Sequence, residues 1–161
     1  MTIQIDPLQD QAVVDLLRDH LADMHANSPP ESVHALDVAA LRAPNITFWS
    51  ARQGGEIQGC IALKQLDAHS GEIKSMRTRA QSRGRGIASA LLQTLLAEAR
   101  RRGYHRLYLE TGSQAFFAPA HGLYRRFGFV ACGPFADYGP DPHSCFMRLP
   151  LQPELVPTQE S

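Results

Sequence analysis

Arg83-Gly84-Arg85-Gly86-Ile87-Ala88 is the stretch whose reading decides the fold. It joins residues 71–78, which predict a strand, to residues 87–102, which have the periodicity of an amphipathic helix. Two glycines let the backbone turn tightly and approach a ligand closely. The unbonded N–H groups of a helix start, together with the helix dipole, favour an anion there. Arg83 and Arg85 add fixed positive charge suited to phosphate. The stretch reads as a pyrophosphate cradle.

Charge around the cradle points the same way. Residues 74–106 hold nine basic side chains and one acid, Glu98, for a local charge of +8. The whole chain has 16 basic and 16 acidic residues, so the remainder carries −8. A neutral chain with a basic middle suits a locally bound polyanion. Arg100, Arg101 and Arg102 also fit a helix C-terminus stopped by Gly103. Overall neutrality argues against a dedicated nucleic-acid binder.

With 161 residues, 43% of them hydrophobic, one domain is expected over residues 1–150 and a loose tail over 151–161. No apolar run is long enough for a membrane span, and residues 1–10 lack a secretory pattern. Cys60, Cys132 and Cys145 are odd in number and widely spaced, which predicts reduced thiols in a cytoplasm.

Residues 2–5 predict a strand and 7–25 a helix with Val13, Val14, Leu16, Leu17 and Leu21 on its apolar face. Ser28-Pro29-Pro30-Glu31 breaks the chain and leads into a second short helix over 32–41. Strands at 46–52 and 57–64 flank Gln53-Gly54-Gly55-Glu56 as a hairpin. Past the cradle, Ile87, Leu91, Leu92, Leu95, Leu96 and Ala99 share one helix face. Residues 105–110 predict a strand parallel to, or splayed from, 71–78, because a helix crossover joins the two. A helix over 116–127 and strands at 129–132 and 144–149 complete a mixed α/β layer around one βαβ unit.

In this order the elements resemble the GCN5-related N-acetyltransferase (GNAT) superfamily. Arg83, Gly86 and Ala88 match its Arg/Gln-x-x-Gly-x-Gly/Ala signature. Ala120, Tyr124, Gly128 and Phe129 match its Ala-x-x-x-Tyr-x-x-x-Gly-Phe signature, and the two blocks are in register within residues 46–149. Segments 28–32 (Ser-Pro-Pro-Glu-Ser) and 135–139 (Phe-Ala-Asp-Tyr-Gly) resemble the bacterial group typified by YsnE. The resemblance implies an α/β GNAT fold: a mostly antiparallel mixed sheet with a central splayed parallel strand pair and flanking helices. It also implies an acetyl-CoA-dependent N-acetyltransferase that moves an acetyl group to a primary amine by direct transfer in a ternary complex. Carried onto this chain, the main chain of Met76 and Thr78 would pair with the pantetheine amides. The N–H of Met76 or Arg77 would meet the thioester oxygen as charge builds on it. The N–H groups of Arg83, Gly84, Arg85, Gly86, Ile87, Ala88 and Ser89 would hold the pyrophosphate.

Tyr124 is the candidate general acid, protonated at neutral pH because an ordinary phenol has a pKa of about 10. By helix spacing alone it would be core, packed beside Phe117, Ala120 and Phe127. Glu72 and Glu110 are the two candidates for the base that deprotonates the amine, each in need of burial to raise its pKa. Phe117 stands where many relatives carry an Asn that contacts the pantetheine arm, which leaves Ser113, Gln114 or water for that contact.

Two other readings compete. Gly84, Gly86 and Ser89 imitate a dinucleotide fingerprint, but residues 79–82 separate them from the strand and Lys74 and Arg77 interrupt its apolar run. A catalytically silent acyl-CoA sensor of the same fold is the second. His20 and His25, five apart, share no helix face, and all seven histidines read as surface or loop residues with no metal site. No cysteine has a recognisable His partner, so no acyl-cysteine is expected. Segments 28–32 and 133–144 are expected to rim the acceptor pocket, where Glu31, Asp137 and Asp141 offer negative charge. The partners expected are a small-molecule or peptide amine, no nucleic acid and no membrane, with a homodimer allowed.

Overall fold

A computed structural model describes residues 1–151, so the tail expected over 151–161 falls, beyond Leu151, outside the described residues. Gly54 and Gly55, at φ 58° and 82°, form the two-residue turn between β2 (Ile46–Gln53) and β3 (Glu56–Asp67). Positive φ at both central positions matches the right-handed twist of the flanking strands. β1 (Thr2–Ile5) joins the other edge of β2, and β4 (Ser70–Thr78) joins β3, both antiparallel. Helix α3 (Ile87–Arg101) then carries the chain back across the sheet, so β5 (Arg106–Gly112) lies parallel to β4. β7 (Ser144–Pro150) pairs antiparallel with β5, and β6 (Val130–Cys132) pairs with β7. The seven-stranded order is β1-β2-β3-β4-β5-β7-β6. The mixed, mostly antiparallel sheet with one parallel pair is the architecture expected from the sequence.

Alternation along each strand sends neighbouring side chains to opposite faces. One face gathers Trp49, Ile61, Leu63, Ile73, Leu107 and Leu109 against α3. All six apolar residues expected on the inner side of α3 are buried there, and each buried leucine contributes roughly 2 kcal/mol. Helix α4 (Ala118–Arg126) covers the same face through Leu123 and Tyr124. The opposite face packs Phe48, Cys60 and Ala62 against Val13, Leu16 and Leu17 of α1 (Gln11–Asn27).

Local departures from expectation have capping or tertiary causes. α1 begins at Gln11 rather than near residue 7 because Asp10 caps it, accepting the Ala12 N–H at 2.9 Å. Asp6 accepts the Leu8 N–H at 2.9 Å and holds the preceding residues in a turn. The helix expected over 32–41 is instead a 3-10 turn (Pro30–Ser32), an irregular run, and one turn of α2 (Val38–Leu41) capped by Asp37. Lys74 Nζ takes the His34 carbonyl at 3.1 Å, an acceptor that a continuing helix would need for itself. A 3-10 turn (Ala115–Phe117) likewise precedes α4 where one helix over 116–127 was expected.

Candidate active site

β4 and β5 pair only from Ser70↔Arg106 to Ile73↔Leu109. Beyond that point β4 follows β3 as far as Thr78, while β5 follows β7 as far as Gly112. A bulge starts the divergence: Cys60 faces Arg77 and Ala62 faces Lys74, leaving Ile61 opposite both Ser75 and Met76. Ser75 sits at φ 53°, a conformation that persists in a non-glycine residue only when its surroundings impose it. The Cys60 thiol donates to the Ser75 carbonyl at 3.2 Å and helps to hold it. The parted strands open a cleft of about 530 Å³, with Met76, Arg77 and Thr78 on one wall and Thr111, Gly112 and Tyr124 on the other.

The cradle forms one end of this cleft. Gly84 and Gly86 adopt φ 78° and 77°, and Gly86 begins α3 without any side-chain cap. The Ala90 N–H is bonded to the Gly86 carbonyl; the N–H groups of Ile87, Ala88 and Ser89, in the turn before it, are the orphan donors of a helix start. A 3-10 turn (Ala80–Ser82) positions the loop, with the buried Ser82 hydroxyl bonded to Gln58. Arg83, Gly84 and residues 86–89 line the cleft, whereas Arg85 is exposed outside it. The Arg83 N–H contacts the Ala80 carbonyl at 3.5 Å, whereas the N–H groups of Gly84, Arg85 and Gly86 make no bond among the described residues and add to the donors of the helix start. Orphan donors, two exposed arginines and no acid within the stretch fit a diphosphate.

Tyr124 is 4% exposed and its hydroxyl donates to Met76 Sδ at 3.7 Å. Its ring meets Phe129 edge-on at 5.5 Å, and burial pushes the phenol pKa up. The two candidate carboxylates part company. Glu72 is 2% exposed and does not line the cleft; its Oε2 accepts from the Tyr138 hydroxyl at 2.6 Å and from Lys74 Nζ at 3.2 Å. Glu110 does line the cleft, and its buried Oε2 has no hydrogen-bond partner among the described residues. Burial raises its pKa against the opposing pull of the Ser144 hydroxyl and the Lys74 ammonium. Leu109 points into the α3 core, so Glu110 points to the other face, while Tyr124 reaches the gap from the α3 and α4 side. The two groups flank the gap from opposite faces of the sheet.

A structural role for Glu72 has a measurable consequence. Glu72→Gln leaves the Lys74 ammonium buried without its counter-ion, and the expected loss is about 3 kcal/mol of folding stability, read from urea melts. Little change in the midpoint would remove Glu72 from the structural scaffold.

Several residues of the site carried no motif. His20, on α1, is 9% exposed and lines the cleft, which corrects the assignment of every histidine to surface or loop. Burial, and then the charge of Arg77, lower its pKa to about 4. The signal was present in the spacing, because His20 falls on the stripe of Val13, Leu16 and Leu17. His121 lies on α4 within 2.6 Å of Thr111 Oγ1 and 3.0 Å of the Gly112 carbonyl. Arg77 Nη1 donates to Asp23 of α1. Segment 133–144 does not line the cleft but buttresses it: Asp141 accepts from Ser32 at 2.5 Å and Tyr138 holds Glu72. Ser113 donates to the Pro142 carbonyl, and Gln114 contacts Ser28 and His143, so neither faces the gap in place of the Asn replaced by the buried Phe117. Among the described residues no group of His, Cys, Asp or Glu gathers as metal ligands, and no helix is long and apolar enough to cross a membrane.

Known proteins resemble this chain in sequence and in fold. The family model described as acetyltransferase (GNAT) matches residues 13–129. The uncharacterized N-acetyltransferase YsnE of Bacillus subtilis is 56% identical over 151 residues, 94% of this chain and 100% of that protein. A solved Klebsiella pneumoniae structure described as an acyl-CoA N-acyltransferase is 32% identical, with TM-score 0.80 over 94% of this chain and 97% of its own. A GNAT-family acetyltransferase from Elizabethkingia anophelis, solved with acetyl-CoA bound, shares the fold at TM-score 0.69 and 20% identity, covering 93% of this chain and 97% of its own.

Proposed function

The chain belongs to the acetyltransferase (GNAT) family and is an N-acetyltransferase, and from that premise we propose that it transfers acetyl from acetyl-CoA to a primary amine by direct attack. The observation that carries this reading is the single cleft that joins the cradle to the strand gap and has Tyr124 and Glu110 on its walls. The acetyl-CoA seen in the Elizabethkingia relative supports the choice of donor. When bound, acetyl-CoA supplies an activated acetyl thioester. The helix-start N–H groups of residues 87–89 and the Arg83 guanidinium hold its diphosphate, and the β4 edge beyond Ile73, unpaired with β5, receives the pantetheine amides. Main-chain N–H groups at the bulge, Met76 or Arg77, bond the carbonyl oxygen as it gains charge. Glu110 takes the proton from the amine as the N–C bond forms. Tyr124 hydrogen-bonds the sulfur as the C–S bond breaks and supplies its proton. Glu72 is left out of the chemistry because Lys74 and Tyr138 already occupy it.

The test is calorimetric titration of acetyl-CoA into wild type and into the double variant Arg83→Ala/Gly86→Val. A side chain at Gly86 meets no atom within 4 Å but is strained at φ 77°, so the helix start is distorted while the core is spared. The double variant should bind at least about tenfold more weakly, the effect of one lost charge-assisted contact. Equal affinity would place the diphosphate elsewhere.

A further inference from the structure

Six buried side-chain polar atoms lack a partner among the described residues, and those of His20, Ser75, Arg77 and Glu110 all lie on residues lining the one cleft. Leaving such an atom unpaired costs about 1–3 kcal/mol, so four in one cleft mark a surface shaped for something polar. Glu110 is the acidic end. The other three lie across the gap, where β4 faces α1.

Arg77 is the strongest recogniser there. Its side chain is 11% exposed, Nη1 is anchored on Asp23, and Nε is buried without a partner. An arginine tethered through Nη1 keeps the Nε–H and Nη2–H edge as a planar fork, the geometry that meets a carboxylate with two parallel hydrogen bonds. His20 Nδ1 and the Ser75 hydroxyl, both buried and unpartnered, supply polar contacts beside it. Charge selects the ligand further. Asp23 offsets part of the Arg77 charge and His20 stays neutral above its lowered pKa, so the pocket suits one negative charge better than the two of a phosphate. The nearby lining residues Met24, Val33 and Ala35 are apolar and suit an uncharged side chain.

Resting on the acetyl-transfer reading above, we infer that the acceptor is a free amino acid, its carboxylate held by the Nε/Nη2 edge of Arg77 and its amine presented to Glu110 across the parted strands. Asp23 is then a positioning residue that fixes the guanidinium.

The experiment compares matched acceptors with and without the carboxylate: leucine against isoamylamine, and phenylalanine against 2-phenylethylamine. Thiol release is followed with wild type, Arg77→Gln and Arg77→Lys, with acetyl-CoA affinity measured separately by calorimetry. The kcat/KM ratio of each amino acid to its amine should fall by about 10- to 100-fold in Arg77→Gln, carried by the KM of the amino acid, as expected for a lost charge-assisted pair. Arg77→Lys keeps the charge near Asp23 but lacks the fork, so its ratio should also fall. An unchanged ratio in both variants, or turnover by wild type of the amines alone, overturns the inference and leaves acetyl transfer standing. Thiol release with no acceptor of either kind, despite acetyl-CoA binding, overturns the acetyl-transfer reading itself.

Discussion

Tyr124→Phe is expected to lower kcat by about 10²–10³-fold, within the range for loss of a positioned acid, while acetyl-CoA affinity and folding stability change little. The hydroxyl makes one hydrogen bond, to Met76 Sδ at 3.7 Å, and sulfur is a weak acceptor that loses little without it. The ring keeps its place against Phe129 because nothing that packs is removed. The effect should fall below the upper limit for acid catalysis for a specific reason. Burial raises the phenol pKa, whereas an ordinary thiol lies near 8.5. Complete proton transfer to sulfur would therefore leave a buried tyrosinate and run uphill. In the mechanism proposed here Tyr124 therefore hydrogen-bonds the charge that develops on sulfur, with transfer completed only as the product departs. Steady-state thiol release gives kcat, and calorimetry gives the affinity. A kcat within twofold of wild type would strip Tyr124 of its role and return it to the α4 core.

The role proposed for Tyr124 was readable in the sequence only through a pair of motifs in register, because an aromatic residue at helical spacing is ordinarily core, and Tyr124 is core as well. The cradle was more legible. Two glycines alternating with two arginines, set against a six-residue apolar stripe, specify a tight turn and an amphipathic helix at once, and both form. The directions of two strand pairs followed from loop lengths: a two-residue turn forces β2 and β3 antiparallel, and a helix-long crossover permits β4 and β5 to be parallel. What the sequence hid were matters decided by distant partners. Ser75 gives no local sign of a positive φ, since the bulge arises from the pairing of β4 with β3 and from Cys60, fifteen residues away. Segment 32–41 has helical spacing but surrenders its His34 carbonyl to Lys74, forty residues on. Glu72 and Glu110 look alike as strand carboxylates; Lys74, two residues on, is a partner for Glu72 that the sequence offers, but Tyr138 reaches back across 66 residues to complete its occupation.

That difference sets the second large effect, Glu110→Gln. The isosteric amide fills the same space and the buried Oε2 has no partner to lose among the described residues, so the fold should survive, but the amide cannot accept a proton from the amine. Turnover should drop by about 10²–10⁴-fold, the usual worth of a positioned base. The pH profile separates this from a mere packing defect. Burial favours the neutral carboxylic acid, so Glu110 becomes the working carboxylate only at a pH above the ordinary range near 4.3. For wild type, kcat/KM should climb as pH rises, with its acidic limb displaced upward from that range, because deprotonation creates the competent base. In Glu110→Gln that limb should vanish along with most of the rate. Glu72→Gln should retain the limb and show its damage in stability, since its carboxylate stays engaged by Lys74 and Tyr138 in the native protein. If the acidic limb persists in Glu110→Gln and disappears in Glu72→Gln, the roles are reversed. The Tyr138 and Lys74 contacts would then be the device that tunes the base rather than the lock that removes it.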